Sequence, residues 1–227
     1  NPMREVVIDT ETTGLSFKSG DRIIEVGCVE LKNHLPTGKT LQFYCRPDKV
    51  ISEGAKNIVG ISDDFLSKQK TFKDNHQNLL NFLKKDTLII HNADFDLGFI
   101  NNELSLIGLP ALKNTVIDTV FLARQVLNTR VANLDYLCRR FNIDLSEREF
   151  HGALLDSQLL ASVYLELKGG KQFSMILDNT KEEQGNPTIN NSNKEKTKEI
   201  KLTKDQIGAH KQMLKKIKNP IWNKFNY

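Results

Sequence analysis

The sequence predicts an α/β fold, a mixed sheet flanked by helices, followed by a flexible linker and a terminal helix. Three observations lead there. Three β-rich segments come in quick succession near the start, short apolar runs then alternate with helix-period segments, and apolar residues all but vanish for some twenty residues beyond Gly169-Gly170. At 227 residues, 39% hydrophobic and 26% charged, the chain has the composition of one or two core-forming domains, which excludes collagenous, wholly disordered and disulfide-scaffold classes.

Residues 3–9 read as a buried strand, 22–31 as a longer strand with partial alternation, and 40–46 as a third, separated by turn formers. Such close succession favours antiparallel pairing. Residues 72–85, with Phe72, Leu79, Leu80, Phe82 and Leu83, read as an amphipathic helix leading into the short apolar strand 87–90. A helix over 95–107, a strand over 115–117, and helices over 119–127, 134–141 and 154–167 complete a body of residues 3–170. Strands separated by helices pair in parallel, so the sheet should be antiparallel at its start and parallel after it.

Beyond the body, residues 171–201 read as a linker: from Asp178 to Glu199 the chain is Asn, Lys, Glu, Thr and Gly with almost nothing to bury. A helix start follows. Thr203 and Gln206 form a capping box, and Leu202 and Ile207 a hydrophobic staple, opening the tail 202–227. Its apolar residues, Ile207, Met213, Leu214 and Ile217, with the aromatics Trp222, Phe225 and Tyr227, are too few for a core, so they either fold back on the body or dock on another protein, and the linker favours docking. Charge divides the same way: residues 1–170 carry 20 Lys/Arg and 22 Asp/Glu, while 171–227 carry 12 and 6. An acidic-leaning body does not bind nucleic acid by overall charge, so such a contact there must be local or metal-mediated.

No run reaches the about 18 consecutive apolar residues of a membrane helix, and no signal peptide is evident, so a cytoplasmic location is expected. The chain opens Asn1-Pro2-Met3, and Met3 reads as the initiator. Cys28, Cys45 and Cys138 are widely spaced and expected to be buried small hydrophobes.

Chemistry concentrates in three places. Asp9-Thr10-Glu11 ends the first strand, where a period of two puts both carboxylates on one face. His91-Asn92-Ala93-Asp94-Phe95-Asp96 joins an apolar strand to a helix start, and here simple N-capping fits Asp94 better than Asp96. In His151-Gly152-x-x-x-Asp156 the two side chains share a face only if His151 lies on the loop before the helix. Asp156 falls within the apolar stripe of Leu154, Leu155, Leu159 and Leu160, so it needs a partner, and a metal ion supplies one. Four carboxylates without a thiolate cluster suit Mg²⁺ or Mn²⁺ rather than zinc.

Asp9-Thr-Glu11-Thr-Thr-Gly, His91-Asn-x-x-Phe-Asp96 and His151-Gly-Ala-Leu-Leu-Asp156, in this order across some 150 residues, resemble the three motifs of the DEDDh family of 3′→5′ exonucleases, and within it the proofreading subunits of bacterial replicative polymerases. The resemblance implies a ribonuclease-H-like fold, two divalent cations held by Asp9, Glu11, Asp96 and Asp156, and His151 as general base. It also decides for Asp96 over Asp94. The substrate implied is a single-stranded DNA 3′ end, with Asp9, Thr10, Glu11, Thr12, Thr13, Phe95 and Asp156 placed against the terminal nucleotide. For Phe95, core packing at a helix start is an equal reading. One departure is Val59-Gly60-Ile61, where the family often has His-Gly-Ile.

Past the body, Gln172-Phe-Ser-Met175-Ile-Leu177 resembles a sliding-clamp-binding peptide. The segment 202–225, with Ile207, Leu214 and Trp222, resembles the tail by which such subunits attach to the polymerase catalytic subunit. A small third subunit is a further partner the resemblance allows. A free-standing DEDDh ribonuclease would have no evident use for this tail, and an idle bridging module none for the complete acid set.

Overall fold

A computed structural model describes residues 3–49, 51 and 57–169. The linker, the clamp-like peptide and the tail, including Gln172, Met175, Leu177, Ile207, Leu214 and Trp222, lie outside the described residues.

Among the described residues five strands form one mixed sheet in the order β3-β2-β1-β4-β5. The strands are β1 (Arg4–Thr12), β2 (Ile23–Lys32), β3 (Leu35–Tyr44), β4 (Thr87–Ile90) and β5 (Val116–Asp118). β1 and β2 pair antiparallel, as do β2 and β3, whereas β1–β4 and β4–β5 are parallel. The helices are α1 (Asp63–Ser67), α2 (Phe72–Leu83), α3 (Ala93–Leu106), α4 (Thr119–Leu127), α5 (Leu134–Arg140) and α6 (Ala153–Leu167). The antiparallel start and parallel continuation are as the segment order implies.

Strand alternation sorts the core into two layers. Val6, Ile8, Val26, Cys28, Leu88 and Ile90 face α2 and α3, packing with Leu79, Leu83, Phe99 and Leu104. Val7, Val29, Leu31 and Ile89 face the other way, against Leu160, Ala161 and Tyr164 of α6. Helices thus cover both faces, which is why Val6-Val7-Ile8 of β1 and Leu88-Ile89-Ile90 of β4 are consecutive apolar residues, all buried. Cys28, Cys45 and Cys138 are free and buried.

β1 runs on to Thr12 instead of ending at residue 9, because β2 continues to pair with it as far as Ile23, and two further elements depart from expectation. β3 begins at Leu35 rather than residue 40, because Asn33 and His34, both at positive φ (50° and 68°), close a two-residue hairpin and pairing resumes at once. Its early residues are exposed on the sheet edge, so no apolar pattern marks them. The short α1, opened by Ser62 accepting from the Phe65 N–H at 3.1 Å, carries too few apolar residues to be seen by periodicity.

Candidate active site

β1 supplies the first two acids. Both Asp9 and Glu11 lie within the strand on the side of Val7, and α6 covers that side; their cross-strand partners on β2 are Gly27 and Glu25. β1 outruns β4, whose pairing with it ends at Val7↔Ile89. Beyond that point the Thr10 N–H has no strand to bond, and Asp96 Oδ1 accepts it at 2.9 Å together with the Thr10 hydroxyl at 2.7 Å. A strand end protruding past its parallel neighbour is where open α/β sheets place their ligands.

Asp96 is 3% exposed in the first turn of α3. The cap of that helix corrects the sequence expectation: Asp94 is exposed and does not cap. Asn92 stands at the N-cap in a left-handed conformation (φ 64°) with no side-chain cap bond. Asp118 does the work instead, accepting from the Ala93 N–H at 2.9 Å and the Asn92 N–H at 3.3 Å, and from the Val120 N–H at 2.8 Å at the head of α4. One carboxylate therefore ties two helix starts together.

Asp156, 5% exposed, sits in the first turn of α6, and His151 lies on the loop before Gly152, the position that lets both share a face. The start of α6 is clamped on β2: Glu25 Oε2 accepts from the Ala153 N–H at 3.0 Å, and the Ser157 hydroxyl donates to the Gly27 carbonyl at 2.9 Å. A Cβ at Gly27 would come within 2.3 Å of the Ala153 carbonyl carbon, so only glycine lets helix and strand approach this closely. The His151 N–H donates to the Ile58 carbonyl at 3.0 Å. Val59, the departure from the family pattern, is buried in a small apolar cluster with Ile24, Ile51 and Leu66.

Burial first, and then the charges of Asp96, Glu11, Asp156 and Glu25, push the Asp9 carboxyl well above the usual carboxylate range. Burial likewise raises Glu11 to about 8, with Asp156, Glu25 and Asp96 adding to it. Burial takes Asp96 to about 7 against the lowering effect of its two bonds from Thr10. Asp156 moves the other way: burial pushes it up, but the hydrogen bonds and charge of Arg148 outweigh that.

Arg148 is one of the residues that sequence reasoning missed. Its Nε and Nη2 donate to Asp156 Oδ1 and Oδ2 at 2.7 and 2.8 Å, its Nη1 donates to Asp135, and Nη2 lies 3.0 Å from His151 Nδ1. A guanidinium cannot accept, so Nδ1 is the acceptor in that contact. Asp156 therefore has a partner inside the chain, where the sequence pointed to a metal ion. No signal marked it: Glu147-Arg148-Glu149 reads as a solvated charged loop.

The threonines are engaged internally. The Thr12 hydroxyl donates to the Gly14 carbonyl at 2.6 Å, and the Thr13 hydroxyl donates to Asp21 at 3.2 Å while accepting from the Arg22 N–H. Phe95 is half-buried, its ring 4.9 Å from that of Phe99. A cavity of about 580 Å³ opens beside the acids, lined among others by Asp9, Asn92, Arg124, Arg148, His151 and Asp156.

The donors fit hard divalent cations. Glu11, His151 and Asp156 offer ligand atoms all within 4.8 Å of one another, and the remaining donors are carboxylate oxygens whose mutual repulsion Arg148 answers only in part.

Comparison with known proteins agrees with this geometry. The exonuclease family model RNase_T matches residues 6–164. DNA polymerase III subunit epsilon of Rickettsia felis is 41% identical over 223 residues, covering 95% of this chain and 97% of the relative. The Escherichia coli K12 protein of that name is 38% identical over 224 residues, covering 93% and 92%. Among solved structures, the nuclease domain of 3′hExo, a DEDDh family member bound to rAMP, superposes with TM-score 0.66 at 21% identity, covering 74% of this chain and 92% of that one. Exonuclease X in complex with 5′ overhanging duplex DNA gives 0.59 at 22%, covering 73% and 91%. At those identities the two structures establish a shared fold.

Proposed function

The chain belongs to the exonuclease family that its residues 6–164 match, and we propose that it is a metal-dependent 3′→5′ exodeoxyribonuclease acting as the proofreading subunit of a bacterial replicative polymerase, the role of its epsilon-named relatives. The observation that carries this reading is the convergence of Asp9, Glu11, Asp96 and Asp156 with His151 at the free end of β1.

Asp9, Glu11, Asp96 and Asp156 would hold two divalent cations, Mg²⁺ or Mn²⁺. When bound, these supply Lewis acidity toward the scissile phosphate, the attacking water and the leaving 3′-oxygen. His151 takes the proton of the attacking water, for which a ring nitrogen must carry a free lone pair. Nδ1 gives its lone pair to Arg148 in the geometry described, so proton acceptance there requires that contact to open. In-line attack on phosphorus breaks the terminal bond and releases a 5′-mononucleotide.

The terminal nucleotide lies along the last residues of β1, against Asp9, Glu11 and Asp156. The hydroxyls of Thr10, Thr12 and Thr13 and the N–H groups of Thr10 and Thr13 are engaged inside the chain, so these buried threonines shape the floor beneath the terminal nucleotide, and Phe95 forms a wall braced by Phe99. Mismatch preference needs no base reading: a mispaired end unstacks at lower cost and presents single strand more often.

Residues 3–170 form the exonuclease domain, and 171–201 a linker whose Gln172, Met175 and Leu177 engage the sliding clamp. Residues 202–227, through Ile207, Leu214 and Trp222, attach to the polymerase III catalytic (alpha) subunit. A small theta-like subunit is a further partner of the body, and the setting is the cytoplasmic replisome. Among the described residues no helix is long and apolar enough to cross a membrane.

Pulldown with a polymerase catalytic subunit, with and without residues 178–227, tests the assignment to a polymerase. Binding should be lost with the tail, and full binding by the truncated chain would contradict it. On a primer-template, faster removal of a mispaired than a paired 3′ nucleotide is expected; equal rates would contradict proofreading.

A further inference from the structure

The guanidinium of Arg148 lies deeper in the acid cluster than a stabilising surface pair would. Its side chain is 9% exposed, that of Asp156 is 7% exposed, and both carboxylate oxygens of Asp156 receive an N–H from it. The third arm reaches Asp135, whose side chain is 43% exposed at the start of α5, and the Nη2 that serves Asp156 also contacts His151. One planar cation thus occupies two of the roughly four lone-pair sites that a carboxylate offers. It touches two of the groups, Asp156 and His151, whose donor atoms converge with Glu11 within 4.8 Å.

We propose that Arg148 is a resident counter-cation of the active site, competing with divalent ions for Asp156 and so setting how much ion the enzyme needs. The proposal rests on Asp156 being an ion ligand. A fixed positive charge next to a cation site opposes the incoming ion, and a low-dielectric cluster magnifies the opposition. Asp135 moderates it from outside: the more firmly that exposed carboxylate holds Nη1, the less the guanidinium is committed to Asp156. Because the same arm contacts His151 Nδ1, displacing Arg148 from the cluster also frees that lone pair, so ion occupancy and readiness of the base are linked through one side chain.

Two substitutions carry opposite signs. Arg148→Gln removes the competing charge, and the full-length protein should bind Mn²⁺ tighter by about tenfold or more. Asp135→Asn, at a half-exposed position that leaves the core untouched, commits the guanidinium to Asp156 and should weaken Mn²⁺ binding severalfold. Titration calorimetry with Mn²⁺ alone, on wild type and both variants, reads these shifts without reference to activity. A role limited to holding the loop in place predicts weaker binding in Arg148→Gln. That result, unchanged affinity in Asp135→Asn, or shifts of the same sign in both would overturn the proposal. Should Arg148→Gln fail to fold, the Asp135→Asn arm decides alone. Wild type that binds no Mn²⁺ would instead remove Asp156 as an ion ligand, and with it the premise.

Discussion

His151 is half-exposed on a loop, yet its backbone is pinned to Ile58 and its Nδ1 lies beside the Arg148–Asp156 pair, 3.0 Å from the guanidinium and 3.5 Å from the Asp156 oxygen. A general base held in this way contributes about 10²–10⁴ in rate. His151→Ala should therefore lower hydrolysis of a DNA 3′ end by that factor while Mn²⁺ still binds, measured by single-turnover release of mononucleotide. Activity within threefold of wild type would remove it as base. At this scale the sequence was legible where the motif was ordered: Glu11, His151 and Asp156 bring donor atoms within 4.8 Å of one another, Asp9 and Asp96 lie near enough for the acids' charges to act on each other, and His151 lies just ahead of the helix as its spacing requires. It was illegible for Arg148, Asp135 and Glu25. Nothing in a charged loop, a helix start or the interior of a β-strand reveals that its carboxylate or guanidinium will face the site from another part of the chain.

At the scale of elements, the site depends on how closely α6 approaches β2. Gly27 permits the contact, and Glu25 and Ser157 fasten it. Gly27→Ala places a methyl group against the Ala153 backbone and should destabilise the protein by about 1–3 kcal/mol or more. Activity should fall further than stability, because α6 carries Asp156. Thermal melts and turnover of the purified variant check this, and a variant matching wild type in both would contradict the close-approach argument. Apolar runs and helix periods were sufficient to place β4 and α4, where burial and capping coincide with sequence pattern. They failed at β3, an edge strand with an exposed start, and at α3, whose cap is Asp118, 25 residues further along the chain than the Ala93 N–H it accepts.

Across the whole molecule, concentrating acids at one strand end makes stability depend on pH and on ions. Glu11 at about 8 and Asp96 at about 7 bind protons more tightly folded than unfolded, where carboxyls ionise near 4. Their ionisation therefore costs stability progressively as pH rises from about 4 through 8. Asp156, displaced downward, is ionised in both states above about pH 5, so its contribution does not vary between pH 5.5 and pH 8. In chelator the melting temperature should fall between pH 5.5 and pH 8. Added Mg²⁺ or Mn²⁺ should raise it more at pH 8 than at pH 5.5. A chelated protein with no pH dependence in this window would contradict the burial of mutually repelling acids.

Function at this scale reduces to one claim, that the acid cluster hydrolyses DNA from its 3′ end and needs a divalent ion to do so. The direct measurement incubates wild type and Asp9→Ala with 5′-labelled single-stranded DNA, in Mg²⁺ or in chelator, and resolves the products by size. A ladder of 3′-shortened strands that requires both Asp9 and the ion is the predicted result. Full-length DNA after incubation with folded wild type in Mg²⁺, or equal laddering by Asp9→Ala, would contradict it.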